Sequence, residues 1–407
     1  MLRTHIFPCR LPKILADELN CESGRIYTQT LIWHYRIYRR TGHWLSCYAA
    51  QRLGDSLSGT FLSAFSRDAA QEAFYRASKT ARINRGIGVR YPHHFKEFRT
   101  TVWKNPGIRL CGKELFLARA RGVGALRVRL PSDLLGISLK SIREIRLVYN
   151  QSGGRYQWHI VIEDDRVPLV ICGGEPAAID MGEIHPVVVA SETECVVFTA
   201  RQLRSLHQYT SKRLSEIRSR QDRLSGKSRR WKKLQRRKQR FLAKQRNRSR
   251  DIEHKVSRAV VDWAVRENIS TLAIGDVRDV ADGKRLNRKS QQKIGNWSHG
   301  KVRRYVEYKA CAVGIKTKLV NECYSSQTCP QCGQRHKPRG RIYHCAVCGF
   351  VGHRDAVGAI NILSRLKMGE VGKVSMPKVK YRMPADFRRG LRSRSDTTQV
   401  ALVSGGA

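Results

Sequence analysis

Apolar residues recur at helical spacing early in the chain and then switch to alternation. Phe61, Phe65, Ala69 and Ala73 fall four apart, flanked by Leu62, Ala70, Phe74 and Ala77, which predicts an amphipathic helix inside a helical stretch over residues 1–90. Between 91 and 170 the period becomes two. Leu126, Val128 and Leu130 alternate with arginines, and Ile145-Arg-Leu-Val-Tyr149 reads the same way. The turn Gln151-Ser-Gly-Gly154 joins the latter to Tyr156–Glu163, so a hairpin within a small β-barrel or sheet is expected. Short apolar strands follow at Ala178–Gly182, Pro186–Ala190 and Cys195–Phe198. Helical pattern returns through Ala259, Val260, Trp263 and Ala264, and the strand Thr271–Ile274 then stops at Gly275-Asp276. A helix over 301–313 and a strand over Lys316–Val320 come next. From Met368 onward, prolines, arginines and a terminal Ser-Gly-Gly-Ala predict a basic tail without fixed structure.

Charge narrows the partners. The 407 residues carry 78 Lys+Arg against 33 Asp+Glu, a formal net charge of +45. Such an excess is tolerable beside a polyanion, because Lys and Arg displace the counterions condensed on phosphates. Nucleic acid is therefore the expected partner, ahead of a membrane surface, since no amphipathic segment stands apart. No run of 18 apolar residues occurs, so no membrane-spanning helix is predicted. The first twenty residues carry Arg3, Arg10, Lys13, Asp17 and Glu18 and lack the apolar core of a secretory signal. The basic residues concentrate between Arg201 and Arg250, where 20 Lys+Arg meet only Glu216 and Asp222. Like charges at this density repel along a helix, which favours a stretch neutralised by phosphates over one that is merely solvated. The candidate contacts are Arg229, Arg230, Lys232, Lys233, Arg236, Arg237, Lys238, Arg240, Arg246 and Arg248.

Eight of the 12 cysteines are scattered, but four form Cys329-Pro-Gln-Cys332 and, after twelve residues, Cys345-Ala-Val-Cys348. Each pair sets two thiolates on one turn, and two such turns make a four-sulfur cage for one structural Zn²⁺. Gly333 and Gly349 follow the pairs and supply the permissive backbone of ribbon knuckles. A redox pair would leave the second Cys-x-x-Cys unexplained. Four protein ligands leave no open position, so this zinc is not expected to be catalytic.

Beyond the ribbon, His353-Arg-Asp-Ala-Val-Gly-Ala-Ile-Asn361 imitates a kinase catalytic loop, but the Asn is one residue late and neither an Asp-Phe-Gly nor a Gly-rich ATP loop accompanies it. Asp355 instead opens a helix with Val357, Ile360, Ile362 and Leu363 on its apolar face, where an acid alone would be a cap. Asp180 closes an apolar strand between Ile179 and Met181 and needs a positive partner there, a metal ion among the candidates. Two carboxylates on a strand end and a helix start, with a third on another strand, match what two-metal phosphodiester hydrolysis requires.

Taken in order, these segments resemble the TnpB family of transposon-encoded RNA-guided nucleases, ancestors of the type V CRISPR effectors. Ala178–Gly182 is similar to the first motif of the family's RuvC-like domain, and Arg246–Lys255 to the basic helix before its second. Glu307–Ala310 and Tyr324–Gly333 resemble the approach to its ribbon, and Gly352–Leu363 its third motif. The resemblance is closest over 175–366 and implies an α+β multidomain architecture. Residues 1–170 would form a β-barrel (wedge) domain with a helical recognition insert at about 20–90. Residues 171–366 would form an RNase H-like RuvC nuclease domain with the zinc ribbon inserted at 325–350, and 367–407 the basic tail. It further implies a guide RNA, a double-stranded DNA target, two Mg²⁺ ions, a monomer or homodimer, and a prokaryotic, cytoplasmic, nucleoid-associated setting. Asp180 and Asp355 are carried over as Mg²⁺ ligands and catalytic acids.

One departure stands out. The family's second motif ends its strand on Glu-Asp, whereas this strand ends Ala273-Ile-Gly-Asp276, with Gly275 at the glutamate's position. Three explanations follow: a guided DNA binder that does not cut, a substitution by Asp276, or a relocated acid. The third points to Glu322 at the end of the strand before the ribbon, as in some branches of the superfamily. Asp276 should face the other side of its strand. The reading is an RNA-guided endonuclease of a mobile element with Asp180, Glu322 and Asp355 as its acids. Its alternatives are a non-cleaving transcriptional regulator and a transposase on the same core.

Overall fold

A computed structural model of the chain describes residues 2–163 and 173–383, apart from 58, 152, 279–284, 339 and 373. It divides into two compact units, Met1–Arg166 and Val167–Ala407.

The first unit opens with strand β1 (Leu2–Pro8) and helices α1 (Lys13–Thr41), α2 (Cys47–Asp55) and α3 (Ala64–Ile83). Six strands follow: β2 (Thr101–Lys104), β3 (Ile108–Cys111), β4 (Glu114–Leu117), β5 (Leu126–Arg129), β6 (Ile142–Asn150) and β7 (Arg155–Glu163). The hairpin forms as its alternation predicts, with Asn150 opposite Arg155 and Tyr149 opposite Tyr156. Period two sends Ile145, Leu147, Trp158 and Ile160 into one apolar cluster with Leu115, Leu117, Leu126 and Val128. Asn20 of α1 ties helix to sheet, its Oδ1 accepting from the Thr101 amide at 3.0 Å and its Nδ2 donating to the Leu147 carbonyl at 3.2 Å. Two expectations need correction. The ladders form two antiparallel sheets, β1-β7-β6-β2 and β3-β4-β5, around a common core, and among the described residues they do not close into one barrel. Residues 2–8 are a strand on the edge of β7, not helix; most of this strand is exposed, which removes the apolar alternation that would announce it.

The second unit centres on a six-stranded sheet. Strands β8 (Glu175–Asp180), β9 (Val187–Ala190) and β10 (Glu194–Phe198) form an antiparallel meander. Helices α4 (Arg201–Asp222) and α5 (Arg229–Arg266) then run out and back, and Ser228 caps α5 by accepting from the Trp231 amide at 3.2 Å. Strand β11 (Ile269–Asp276) pairs parallel to β8; after α6 (Arg288–Asn296) and α7 (His299–Cys311), β12 (Lys316–Asn321) pairs parallel to β11. The ribbon hairpin β13 (Ile342–His344) and β14 (Val351–His353) leads into α8 (Arg354–Met368). Last comes β15 (Lys378–Arg382), giving the order β12-β11-β8-β9-β10-β15. This strand corrects the tail: Lys378–Arg382 is ordered as a parallel edge strand on β10, because β10 is buried along its whole length and its open edge needs a partner. The tail beyond residue 383 lies outside the described residues.

The two faces of this sheet are covered by different helices. Ala177, Ile179, Leu272 and Ile274 point into a cluster with Val256, Val260, Val302 and Val306 of α5 and α7. Ala178, Ala273 and Val320 point the other way, onto Ile362 and Leu363 of α8. Burial of Val357, Ile360, Ile362 and Leu363 contributes about 1.5–3 kcal/mol each and fixes α8 across the strand ends.

Candidate active site

Strand parity decides which acids can meet. Asp180 lies two residues beyond Ala178, and Glu322 two beyond Val320, so both share the face covered by α8. Gly275 lies two beyond Ala273 on the same face, whereas Asp276 has the opposite parity. Asp276 is engaged elsewhere, its carboxylate accepting from Arg278 Nε at 2.8 and 3.0 Å.

Two glycines make room for the carboxylates. A Cβ placed on Gly275 would meet Glu322 Oε2 at 3.0 Å and Ile362 Cδ1 at 2.9 Å. The Glu322 carboxylate therefore fills the space that a side chain at Gly275 would take. On α8, a Cβ at Gly358 would meet Asp180 Oδ2 at 2.9 Å, so only glycine lets the helix lie against that carboxylate. Dehydration by the surrounding protein raises the Asp180 pKa well above the ordinary carboxylate range, and the charges of Glu322 and Asp355 push it the same way. A dehydrated acid repelled by two others is the electrostatic condition that a bound divalent cation relieves. The donor set, all carboxylate oxygen, fits hard ions such as Mg²⁺.

Asp355 sits in the first turn of α8 with a side chain 12% exposed. Its partner is Arg341 of the ribbon, with Nη1 3.2 Å from Oδ2. Two histidines adjoin it: donor atoms of His185, His353 and Asp355 all lie within 4.8 Å of one another. Burial pushes His185 down to about 4, and the two imidazoles meet edge to face at 5.4 Å. Sequence reasoning missed Arg341 and His185 as members of this neighbourhood and noted His353 only within its motif. No spacing signal links them, since they come from three segments.

The four ribbon cysteines converge as expected, with Cys329 Sγ 3.5 Å from Cys348 Sγ and Cys332 Sγ 3.6 Å from Cys345 Sγ. Sulfurs bound tetrahedrally at ~2.3 Å to zinc lie about 3.8 Å apart, so the cage fits the ion and is too wide for disulfides. Gly333 and Gly349 adopt φ of 76° and 71°, closing each knuckle. Amides of Cys348 and Val347 hold the Cys345 thiol down at about 6, ready to ligate, despite opposing burial. Asn361 of α8 clamps the ribbon's base by donating to the carbonyls of Ser325 at 2.6 Å and Thr328 at 2.8 Å.

The candidate nucleic-acid contacts all lie on α5. Arg229, Arg230, Lys232, Lys233, Arg236, Arg237, Arg240, Arg246 and Arg248 are exposed, while Lys238 is half-buried and donates to Gln221 Oε1 of α4 at 3.4 Å.

Known proteins match the same segments. A family model described as "Probable transposase" covers residues 159–281, and one described as "Cas12f1-like, TNB domain" covers 299–362. The TnpB-like protein MJ0751 of Methanocaldococcus jannaschii is 28% identical over 181 residues, 44% of this chain and 61% of the relative. From the same organism, "Putative transposase MJ0856.1" is 31% identical over 80 residues, 17% of this chain and 73% of that protein. The chain belongs to the TnpB family. A further relative of this TnpB-family chain is the CRISPR-associated endodeoxyribonuclease Cas12f1 of Sulfoacidibacillus thermotolerans, 30% identical over 113 residues, 27% of this chain and 25% of that protein. The matched stretches thus span less than two thirds of MJ0751 and of this Cas12f1. In fold, the chain is similar to a Cas12f1 solved in complex with sgRNA and target DNA, with a TM-score of 0.60 at 13% identity over 86% of this chain and 82% of the other. Among the described residues, no helix is long and apolar enough to cross a membrane.

Proposed function

We propose that the chain is an RNA-guided DNA endonuclease of a mobile element, with Asp180, Glu322 and Asp355 as the acids that hold two Mg²⁺. The observation that carries this reading is the Glu322 carboxylate beside Gly275, 3.0 Å from where its Cβ would lie. The family's missing glutamate is replaced in space from the neighbouring strand, which weighs against the non-cleaving regulator. Family membership and the Cas12f1 endodeoxyribonuclease relative support the reaction class.

In this reading residues 1–170 are the wedge domain with its helical insert, and 171–366 are the RuvC-like nuclease domain with its ribbon at 325–350. The exposed row on α5 takes backbone phosphates of guide RNA or DNA, while base pairing reads the target. Asp180, Glu322 and Asp355 would hold the divalent ions, whose chemistry there would be to activate a water and to stabilise the charge on the leaving oxygen. Asp180 holds position from a strand end, Glu322 from the residue just past β12, and Asp355 from a helix clamped to the ribbon. Arg341 stands beside Asp355, placed to meet a scissile phosphate oxygen.

The test is guided plasmid cleavage by the ribonucleoprotein purified with RNA from its own locus. Asp180→Asn and Asp355→Asn should each lose Mg²⁺-dependent cutting while guide and target still bind, because ligand loss leaves the basic helix untouched. Loss of binding together with cutting would make these acids structural and end the proposal.

A further inference from the structure

The acid cluster does not use two imidazoles that lie against it, one buried and one half-buried. His185 is only 3% exposed, and its Nδ1 has no hydrogen-bond partner among the described residues. The same holds for Nδ1 of His353, at the end of the ribbon hairpin. His185 is brought there by a tight turn in which the Gly182 amide donates to the His185 carbonyl at 3.1 Å. A Cβ at Gly182 would meet that carbonyl oxygen at 2.7 Å, so the turn needs glycine. Packing alone needs no histidine: two apolar rings would fill the space without stranding buried nitrogens.

We propose that His185, His353 and Asp355 form a cation position with two imidazole ligands and one carboxylate, selective for a divalent transition metal over Mg²⁺. Their donor atoms already lie within 4.8 Å of one another, close enough to converge on a single ion. Imidazole nitrogen suits first-row transition metals, whereas Mg²⁺ keeps to oxygen and sheds water reluctantly. Arg341, which pairs with Asp355, has a side chain 49% exposed and so has solvent to move into without displacing packed neighbours. The inference deepens the nuclease reading, because Asp355 then joins an all-oxygen site to a nitrogen-containing one. Its measurement is independent of that reading.

The probe is Co²⁺, added to full-length protein with zinc retained in the ribbon. One Co²⁺ per chain should bind with the visible spectrum of nitrogen and oxygen ligation, without thiolate charge transfer, and excess Mg²⁺ should not displace it. His353→Gln and His185→Gln should each weaken binding by at least about tenfold, whereas Glu322→Gln should leave it in place. Buried His185 makes unfolding of its variant a real outcome, so Mn²⁺ bound to the unaltered protein is also read by pulsed EPR, which detects directly coordinated nitrogen. Nitrogen coupling supports the site even if both variants unfold. Absence of that coupling, or cobalt binding unchanged in folded histidine variants, overturns it. Absence of guided cleavage by the unaltered ribonucleoprotein would instead sink the nuclease reading and leave this site standing.

Discussion

Moving the carboxylate from Glu322 back to position 275 tests the relocation most directly. In Glu322→Ala the acid is lost; adding Gly275→Glu returns one from the adjacent strand. A Cβ at 275 lies 3.0 Å from where Glu322 Oε2 stands. With bond lengths near 1.5 Å, a glutamate places its carboxylate oxygens about 3–3.7 Å from its own Cβ, so one oxygen can reach that spot. The remaining obstacle is Ile362 Cδ1 at 2.9 Å, the tip of a flexible side chain. Pushing it aside should cost about 1–3 kcal/mol of stability without touching the other acids. Glu322→Ala should slow guided plasmid cleavage by at least ~100-fold, about 2.7 kcal/mol of barrier, since a direct ligand matters at least as much as an outer partner. The double variant should recover at least tenfold, about 1.4 kcal/mol. Gly275→Glu alone should cut poorly, because a further carboxylate crowds an already repulsive site. The relocation is refuted if Glu322→Ala cuts normally, or if a folded, zinc-loaded double variant is no better than the single.

Two other outcomes follow from the ribbon and the basic helix. Cys332→Ser should release zinc, measured by mass spectrometry of the native protein, and remove a contribution on the order of 10 kcal/mol to the ribbon's folding. Because Asn361 clamps that ribbon to α8, cutting should fall with it; full activity in zinc-free protein would contradict the cage. Charge reversal at Arg236, Arg237 and Arg240 should flatten the salt dependence of guide binding, by roughly 0.7–0.9 in log–log slope for each phosphate no longer neutralised, and an unchanged slope would mark α5 as merely solvated.

Some of this was legible in the chain and some could not be. The ribbon, the Asp180 strand, the hairpin and the apolar face of α8 each depend on residues close in sequence, where spacing carries the signal. The opposite parity of Asp276 also follows from strand geometry alone. Strands β1 and β15 left no signal because they are edge strands, largely exposed and specified by partners far away in the sequence. His185, His353 and Arg341 meet only after three segments fold together, and a solitary histidine in a turn says nothing of a neighbour.

The pairing of β15 with β10 has a consequence in time. All five residues of β10 are buried in the finished unit, yet its outer edge is closed only when Lys378 comes to lie beside Glu194. A ribosome adding ~5–20 residues per second needs roughly 10–40 s to cover that interval. Through that window the nascent sheet offers a row of unpaired amides and carbonyls beside valine side chains, which another nascent chain can take up. Slow translation of the last third of the message should therefore favour polysome-linked aggregation. A shortened version that stops before Lys378 would carry the open edge permanently, so trimming this protein for use as a compact tool must end after Arg382.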